Sequence, residues 1–220
     1  MNKILTCISG HKDEQIDIIT NASKCMKNKI LTLIFALTLT LTFAQKSEHL
    51  LFKGVPINGT LNEYVYKMKQ KGFTHIVTEG GTALLNGDFA GYKDCHMGVS
   101  TLKQKDLVYK IGVIFPAQET WSRLSANYFD LKQMLTEKYG EPSKVVEDFD
   151  VESFKLPLDD KDKMHEVRFD NCKYHSTWKT DKGEIQISID HNKVISCFVT
   201  IVYVDKINSA IINAKAKDDL

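Results

Sequence analysis

Apolar residues in this chain fall into two periods that alternate in blocks. Leu61, Tyr64, Val65 and Met68 stand at i, i+3, i+4 and i+7, the stripe of one helix face. Thr60 can cap the first turn while Glu63 reaches back to it, and Gly72 supplies the left-handed residue that ends such a helix. Four strand-like runs follow over 73–78, 82–89, 93–102 and 107–115. In the last, Leu107, Tyr109, Ile111, Val113 and Phe115 alternate with smaller or polar residues. Glycines 80, 81, 87 and 91 read as turns between the runs.

The pattern then restarts. Trp121, Leu124, Tyr128, Leu131 and Leu135 predict a second helix over 121–139, stopped by Gly140-Glu141-Pro142. A strand over 144–149 comes next, then a charged loop over 159–163 and a short strand over 164–169. Strands over 174–180, 184–190 and 193–205 follow, and 207–220 reads as a short polar helix or tail. Strands grouped after each helix predict an α+β fold with antiparallel sheets, because parallel strands need a helix between neighbours. The expected architecture is two helix-plus-antiparallel-sheet units in tandem, over 45–118 and 119–205, with 206–220 beyond them.

Ahead of these units lies a segment of different character. Met26-Lys27-Asn28-Lys29 is a short cationic start, and Ile30 to Ala44 is apolar apart from threonines. That run has fifteen residues, whereas a membrane-spanning helix needs about 20. It closes on Thr42-Phe43-Ala44 and turns polar at Gln45-Lys46-Ser47-Glu48. Residues 26–44 therefore read as a secretory signal peptide cleaved between Ala44 and Gln45, and the expected location is periplasmic or secreted. Residues 1–25 read as an upstream extension, with Met26 as the natural start. Cys25 precedes the apolar run, so it is not a lipid-modified cysteine.

Four stretches carry a resemblance: Gly54-Val55-Pro56-Ile57-Asn58-Gly59-Thr60, Leu85-Asn86-Gly87-Asp88-Phe89-Ala90-Gly91-Tyr92, Lys138-Tyr139-Gly140-Glu141-Pro142 and Asp218-Asp219-Leu220. Together they resemble a group of uncharacterised exported proteins of Bacteroidetes-type bacteria, a likeness that implies no activity. The element order is also similar to the fold of beta-lactamase inhibitor protein and of small lipoproteins of outer-membrane assembly. That second likeness implies units that bind other proteins, and it is one of topology alone.

Charge narrows the functional classes. Beyond Ala44 the two signs of charge nearly cancel and are interspersed, and Arg123 and Arg168 are the only arginines. Nucleic-acid binding has little electrostatic basis. Cys95, Cys172 and Cys197 form no disulfide framework, since they are odd in number and widely spaced. No histidine pair has the spacing of a zinc helix, and Cys172 with His175 lacks a matching second pair. Cys95 beside His96 is poor geometry for a nucleophile and its base, because neighbours on a strand point to opposite faces. Gly80-Gly81 precedes a strand pattern and so is no phosphate cradle.

These observations assign no catalytic residue, no metal ligand and no cofactor. The function they favour is an exported binding or envelope-associated module whose partner is another envelope or extracellular protein. Tyr92, at an expected hairpin tip, is the candidate interaction residue. The competing class is a hydrolase of an envelope or dietary polymer, drawing acid and base from Glu147, Asp148, Asp150 and Glu152 or from Asp159, Asp160 and Asp162. In the closing sheet, Ile185, Ile187 and Ile189 should share the buried face, with Trp178 and Cys197 both opposite Ile187. Cys172 would then lie about 20 Å from that row. That is too far for a bridge to Cys197, a buried free thiol, so any bridge would join Cys95 to Cys172.

Overall fold

The computed structural model describes residues 48–101, 105–150, 159–192 and 196–218. The signal segment over 26–44, its cleavage point at Ala44 and Gln45, and Glu152 lie outside these residues. The chain divides into two units, Met1–Lys46 and Ser47–Leu220, and the second holds all of the described residues. Among them no helix is long and apolar enough to cross a membrane.

A small hairpin, β1 (Leu51–Phe52) and β2 (Val55–Pro56), leads into helix α1 (Leu61–Gln70). Strands β3 (Thr74–Glu79), β4 (Thr82–Phe89), β5 (Tyr92–Thr101) and β6 (Val108–Ile114) follow, then helix α2 (Trp121–Tyr139) and strand β7 (Lys144–Phe149). Helix α3 (Asp160–Arg168), strands β8 (Cys172–Lys179), β9 (Gly183–Asn192) and β10 (Ser196–Asp205), and helix α4 (Lys206–Asp218) complete the unit. The fold is α+β, with a few helices on one large antiparallel sheet. Its eight strands run in the order β3-β4-β5-β6-β10-β9-β8-β7.

The first two helices form as the pattern requires. Thr60 and Glu63 close the capping box of α1, which buries Leu61, Tyr64, Val65 and Met68. On α2 the buried residues are the expected stripe of Trp121, Leu124, Tyr128, Leu131 and Leu135. The third helix is a correction, since a charged loop and a strand were expected over 159–169. Asp159 accepts hydrogen bonds from the Lys161 and Asp162 backbone N–H groups, both at 2.8 Å, and Asp162 reaches back to the Asp159 N–H. This acidic capping box starts α3, and burial of Met164 and Val167 one turn apart holds it. Asp160 then accepts from the Trp121 and Ser122 N–H groups at 3.1 and 2.8 Å, so α3 also caps α2.

Two details of the strands also differ. Gly87 is no turn but lies within β4 opposite Cys95, where a Cβ would sit 2.7 Å from the Phe73 ring. A register shift between β5 and β6 leaves Tyr109 extra, so Val108 is buried rather than the alternating Leu107.

Ile185, Ile187 and Ile189 do share the buried face, but their partners are displaced. Trp178 pairs with Ile185, Ser176 and Ile201 flank Ile187, and Cys197 pairs with His191. Thr180 accepts from the Lys182 and Gly183 N–H groups and its own N–H donates to the Gly183 carbonyl, which centres a two-residue turn on Asp181-Lys182, one residue earlier than the expected pairing requires, while the β9–β10 ladder runs on to Asn192 and Ser196. Shifts by an even number of residues keep every side chain on its face, so apolar alternation could not detect them.

The N-terminal segment is tied to the far end of the unit. The fully buried Asp205 carboxylate accepts from the Leu50 and Asn208 N–H groups at 2.9 Å each, with His49 Nδ1 at 3.1 Å. The Asn208 side chain donates to the carbonyls of Ile57 and Val108. One short segment thereby joins β6, β10 and α4.

Candidate functional site

Most of the residues with chemical potential are engaged in the fold. Glu147 is ion-paired with Lys132 and accepts from the Tyr128 hydroxyl at 3.2 Å. Asp148 accepts from the N–H of Phe149, and Asp159, Asp160 and Asp162 are helix caps. For Asp150 the contact is through its backbone, whose N–H donates to the Asn171 carbonyl. Among the described residues no three His, Cys, Asp or Glu side chains are placed to hold a metal ion.

The three thiols are unbridged. Burial pushes Cys95 up to about 11 and, with a smaller contribution from the nearby Cys197, Cys172 up to about 12. That influence corrects the expected separation, because the true register brings Cys172 and Cys197 towards the same end of the sheet. Cys197 is also pushed up by burial, opposed by the charge and hydrogen bonding of Arg168. All three are neutral thiols near pH 7, a poor state for nucleophilic attack. His191, opposite Cys197, has Nε2 3.0 Å from Asp170 Oδ1 and a buried Nδ1 without a hydrogen-bond partner.

Tyr92 stands at the β4–β5 hairpin, beside Ala90 and Gly91 with φ of 51° and 84°. Its ring packs edge-on against Phe115 at 5.1 Å and its hydroxyl reaches Asn127 Oδ1 at 3.4 Å. It is half-buried and links the hairpin to α2.

The region that the fold leaves available is the second face of the sheet. One face carries Leu85, Met97, Ile111, Val113, Ile187 and Ile201, all buried with the α1, α2 and α3 stripes. On the other face Val77, Leu84, Gly98, Gly112, Val202, Gln186, Thr177 and Lys144 form one row across all eight strands. The next row holds Asn86, His96, Ile114, Thr200, Ser188, His175 and Val146. On the central strands these two rows carry no formal charge; the row on the other side of Gly112 holds Ser100, Lys110, Val204, Glu184 and Lys179. Burial, then the Lys144 charge, lowers the pKa of His175 and keeps it neutral.

Gly98 and Gly112 sit side by side in the middle of this face. Neither has a positive φ, and the pairing runs through both without a shift. A Cβ on Gly112 would meet no described atom within 4 Å, and one on Gly98 meets only the Gly112 carbonyl oxygen at 4.0 Å. Each glycine costs about 0.5–1 kcal/mol relative to alanine in a strand. Packing in the described fold gives no return for that cost. Strand glycines of this kind mark a bulge, a bend or a place where something approaches the backbone closely. The strand patterns around Gly98 and Gly112 carry this signal, but the more numerous turn glycines mask it.

Two surface cavities lie at one end of the sheet. One, of about 350 Å³, is lined by Leu50, Lys138, Tyr139 and Lys182, and a second, of about 490 Å³, borders Glu184, Val204 and Lys206. Neither gathers a constellation for catalysis. No family model, no curated protein and no solved structure matches this chain.

Proposed function

We propose that this chain is an exported binding module, without a cofactor, that holds an envelope or extracellular protein against the open face of its sheet. The observation that carries the reading is the adjacent Gly98 and Gly112, which lower strand stability and leave space that no described side chain fills. A face whose middle mixes Leu84, Val202 and Ile114 with Lys110, Gln186 and Glu184 has the polarity of a protein interface.

In this reading the fold is two helix-plus-sheet units in tandem, similar to beta-lactamase inhibitor protein. The strand order supports it: α1 precedes the meander β3 to β6, α2 precedes β7 to β10, and the last strands β6 and β10 meet antiparallel at the centre. Joining the units edge to edge makes one broad face where each alone offers four strands. Export rests on the signal segment 26–44 with cleavage between Ala44 and Gln45. The fate of the carboxylates weighs against the hydrolase alternative, because Glu147, Asp159, Asp160 and Asp162 already serve as an ion pair and as helix caps.

Photocrosslinking tests the face directly. A photoreactive benzoylphenylalanine in place of Gln186 on the open face is compared with one in place of Gln133, exposed on α2, in cells that make the protein. A discrete protein adduct from position 186 and none from 133 is expected. Adducts from 133 alone, or none from any position on the open face, would reject the reading.

A further inference from the structure

The cavity of about 350 Å³ lies where the β1–β2 hairpin, the end of α2 and the β8–β9 turn meet, and nothing in the fold answers the charge at its turn. We propose that it binds a small organic carboxylate with an aryl or alkyl body, held by the Lys182 ammonium. The site lies on the helix side of the sheet, where α2 ends, so it stands apart from whatever the open face holds.

Each wall is pinned by the fold itself. Leu50, Leu51 and Gly54 form the first, where the Leu50 N–H donates to the buried Asp205 carboxylate at 2.9 Å and the Leu50 carbonyl accepts from Ile57 at 2.8 Å. Lys138 and Tyr139 form the second, and Trp178 Nε1 holds the chain just beyond them through the Gly140 carbonyl at 2.8 Å. Thr180, Asp181 and Lys182 form the third. There the Lys182 N–H donates to Thr180 Oγ1 at 3.2 Å, and its carbonyl accepts from the Lys206 N–H at 2.9 Å. A cavity with walls fixed in this way loses little freedom when filled, which is the usual condition of a small-molecule site.

The lining sets the chemistry of the ligand. Leu50, Leu51 and the Tyr139 ring offer apolar surface to its body. Lys138 Nζ stands 5.1 Å from the centroid of that ring and, in the last turn of α2, answers the partial negative charge of the helix end. Lys182 has no such counterpart. Its side chain is half-buried, and among the described residues its ammonium has neither a hydrogen-bond acceptor nor an ion-pair partner. Asp181 beside it is exposed, so water and salt screen its charge. Lys206 adds a cation at the same turn, with Nζ 3.4 Å from the Asp181 carbonyl oxygen. Two lysines against one aspartate leave the turn one positive charge, which a singly charged carboxylate matches and a dianionic phosphate exceeds. No arginine is among the lining residues to grip a phosphate with its fork. The same carboxylate chemistry comes from a free small acid or from the C-terminal end of a polypeptide.

The probe is phenylpropionate, titrated into the ¹⁵N-labelled protein and followed by amide chemical shifts. Saturable shifts at Gly54, Thr180 and Lys182 are expected, with the neutral phenylpropionamide binding about five-fold more weakly. Lys182→Met keeps the stem and removes the charge, so it should weaken the acid to the level of the amide, whereas Lys182→Arg should retain it. A tripeptide ending in phenylalanine separates the two sources. Binding of its free-carboxylate form at least as tight as that of phenylpropionate assigns the site to a polypeptide end, and weaker binding assigns it to a free acid. No saturable shift at the cavity, equal binding of acid and amide by the unaltered protein, tighter binding of phenyl phosphate, or an undiminished response in Lys182→Met would overturn the inference.

Discussion

On the face beneath the helices, a Cβ added to Gly183 would collide with the Val204 carbonyl oxygen, and one added to Gly87 would press on Phe73. On the opposite face, one added to Gly112 meets nothing described. All three glycines lie inside strands of one sheet, yet they answer to different demands. Gly183 and Gly87 are required by close packing of this chain against itself. Gly112 is not, so its explanation has to lie outside the packed core. A glycine in a strand therefore carries different information depending on which side of the sheet it faces.

The comparison can be broken first by truncating one isoleucine on each face. Ile187 is fully buried, and Ile187→Ala should cost about 4 kcal/mol, through lost transfer energy and the cavity left behind. Ile114 is 37% exposed on the open face, and Ile114→Ala should cost less than about 1 kcal/mol. Urea unfolding of the two variants measures both, and equal costs would mean that the open face is packed after all. Gly183→Ala comes next, with an expected loss of about 3 kcal/mol, since backbone rather than a movable side chain opposes the new methyl.

Alkaline pH probes the covered face through its thiols. Burial raises Cys95 from 9.0 to about 11 and Cys172 from 9.0 to about 12. The folded state therefore holds protons that the unfolded state gives up. The stabilisation is fully present below pH 9 and is lost as the pH rises towards 11 to 12, at up to about 1.4 kcal/mol per pH unit for each thiol. Unfolding free energies measured between pH 8 and pH 11 should fall accordingly, and Cys95→Ala should flatten the slope. A slope unchanged in that variant would mean that Cys95 ionises as it does in water.

The capping box of α1 and the stripe of α2 were legible in the sequence, since each depends on residues within one or two turns of each other. Helix α3 was not, because Asp159, Asp160 and Asp162 with intervening lysines look like a solvated loop until the caps they form are visible. Asp160 illustrates the limit best: the N–H groups it satisfies belong to Trp121 and Ser122 on another helix. Strand register was hidden for a different reason. The alternation of Ile185, Ile187 and Ile189 specifies a face and is blind to even shifts, so the earlier turn at Asp181-Lys182 displaced the β8 partners and the longer β9–β10 ladder the β10 partners while the core stayed intact. Gly98 and Gly112 passed without notice inside two separate strand patterns, and only the pairing of β5 with β6 places them side by side.

The smallest effect is the most informative about that pair. Gly112→Val should raise stability by about 0.5–1 kcal/mol, because it limits the freedom of the unfolded chain, adds a strand-favouring side chain and meets no described atom within 4 Å. Gly98→Val should do the same to a smaller degree, its Cβ lying 4.0 Å from the Gly112 carbonyl oxygen. The competing explanation is that the glycines let the middle of a broad sheet bend, in which case both substitutions would lower stability. Thermal or urea unfolding gives the sign. A gain in stability would show that folding does not need the glycines, whereas a loss of stability would assign them to the curvature of the sheet.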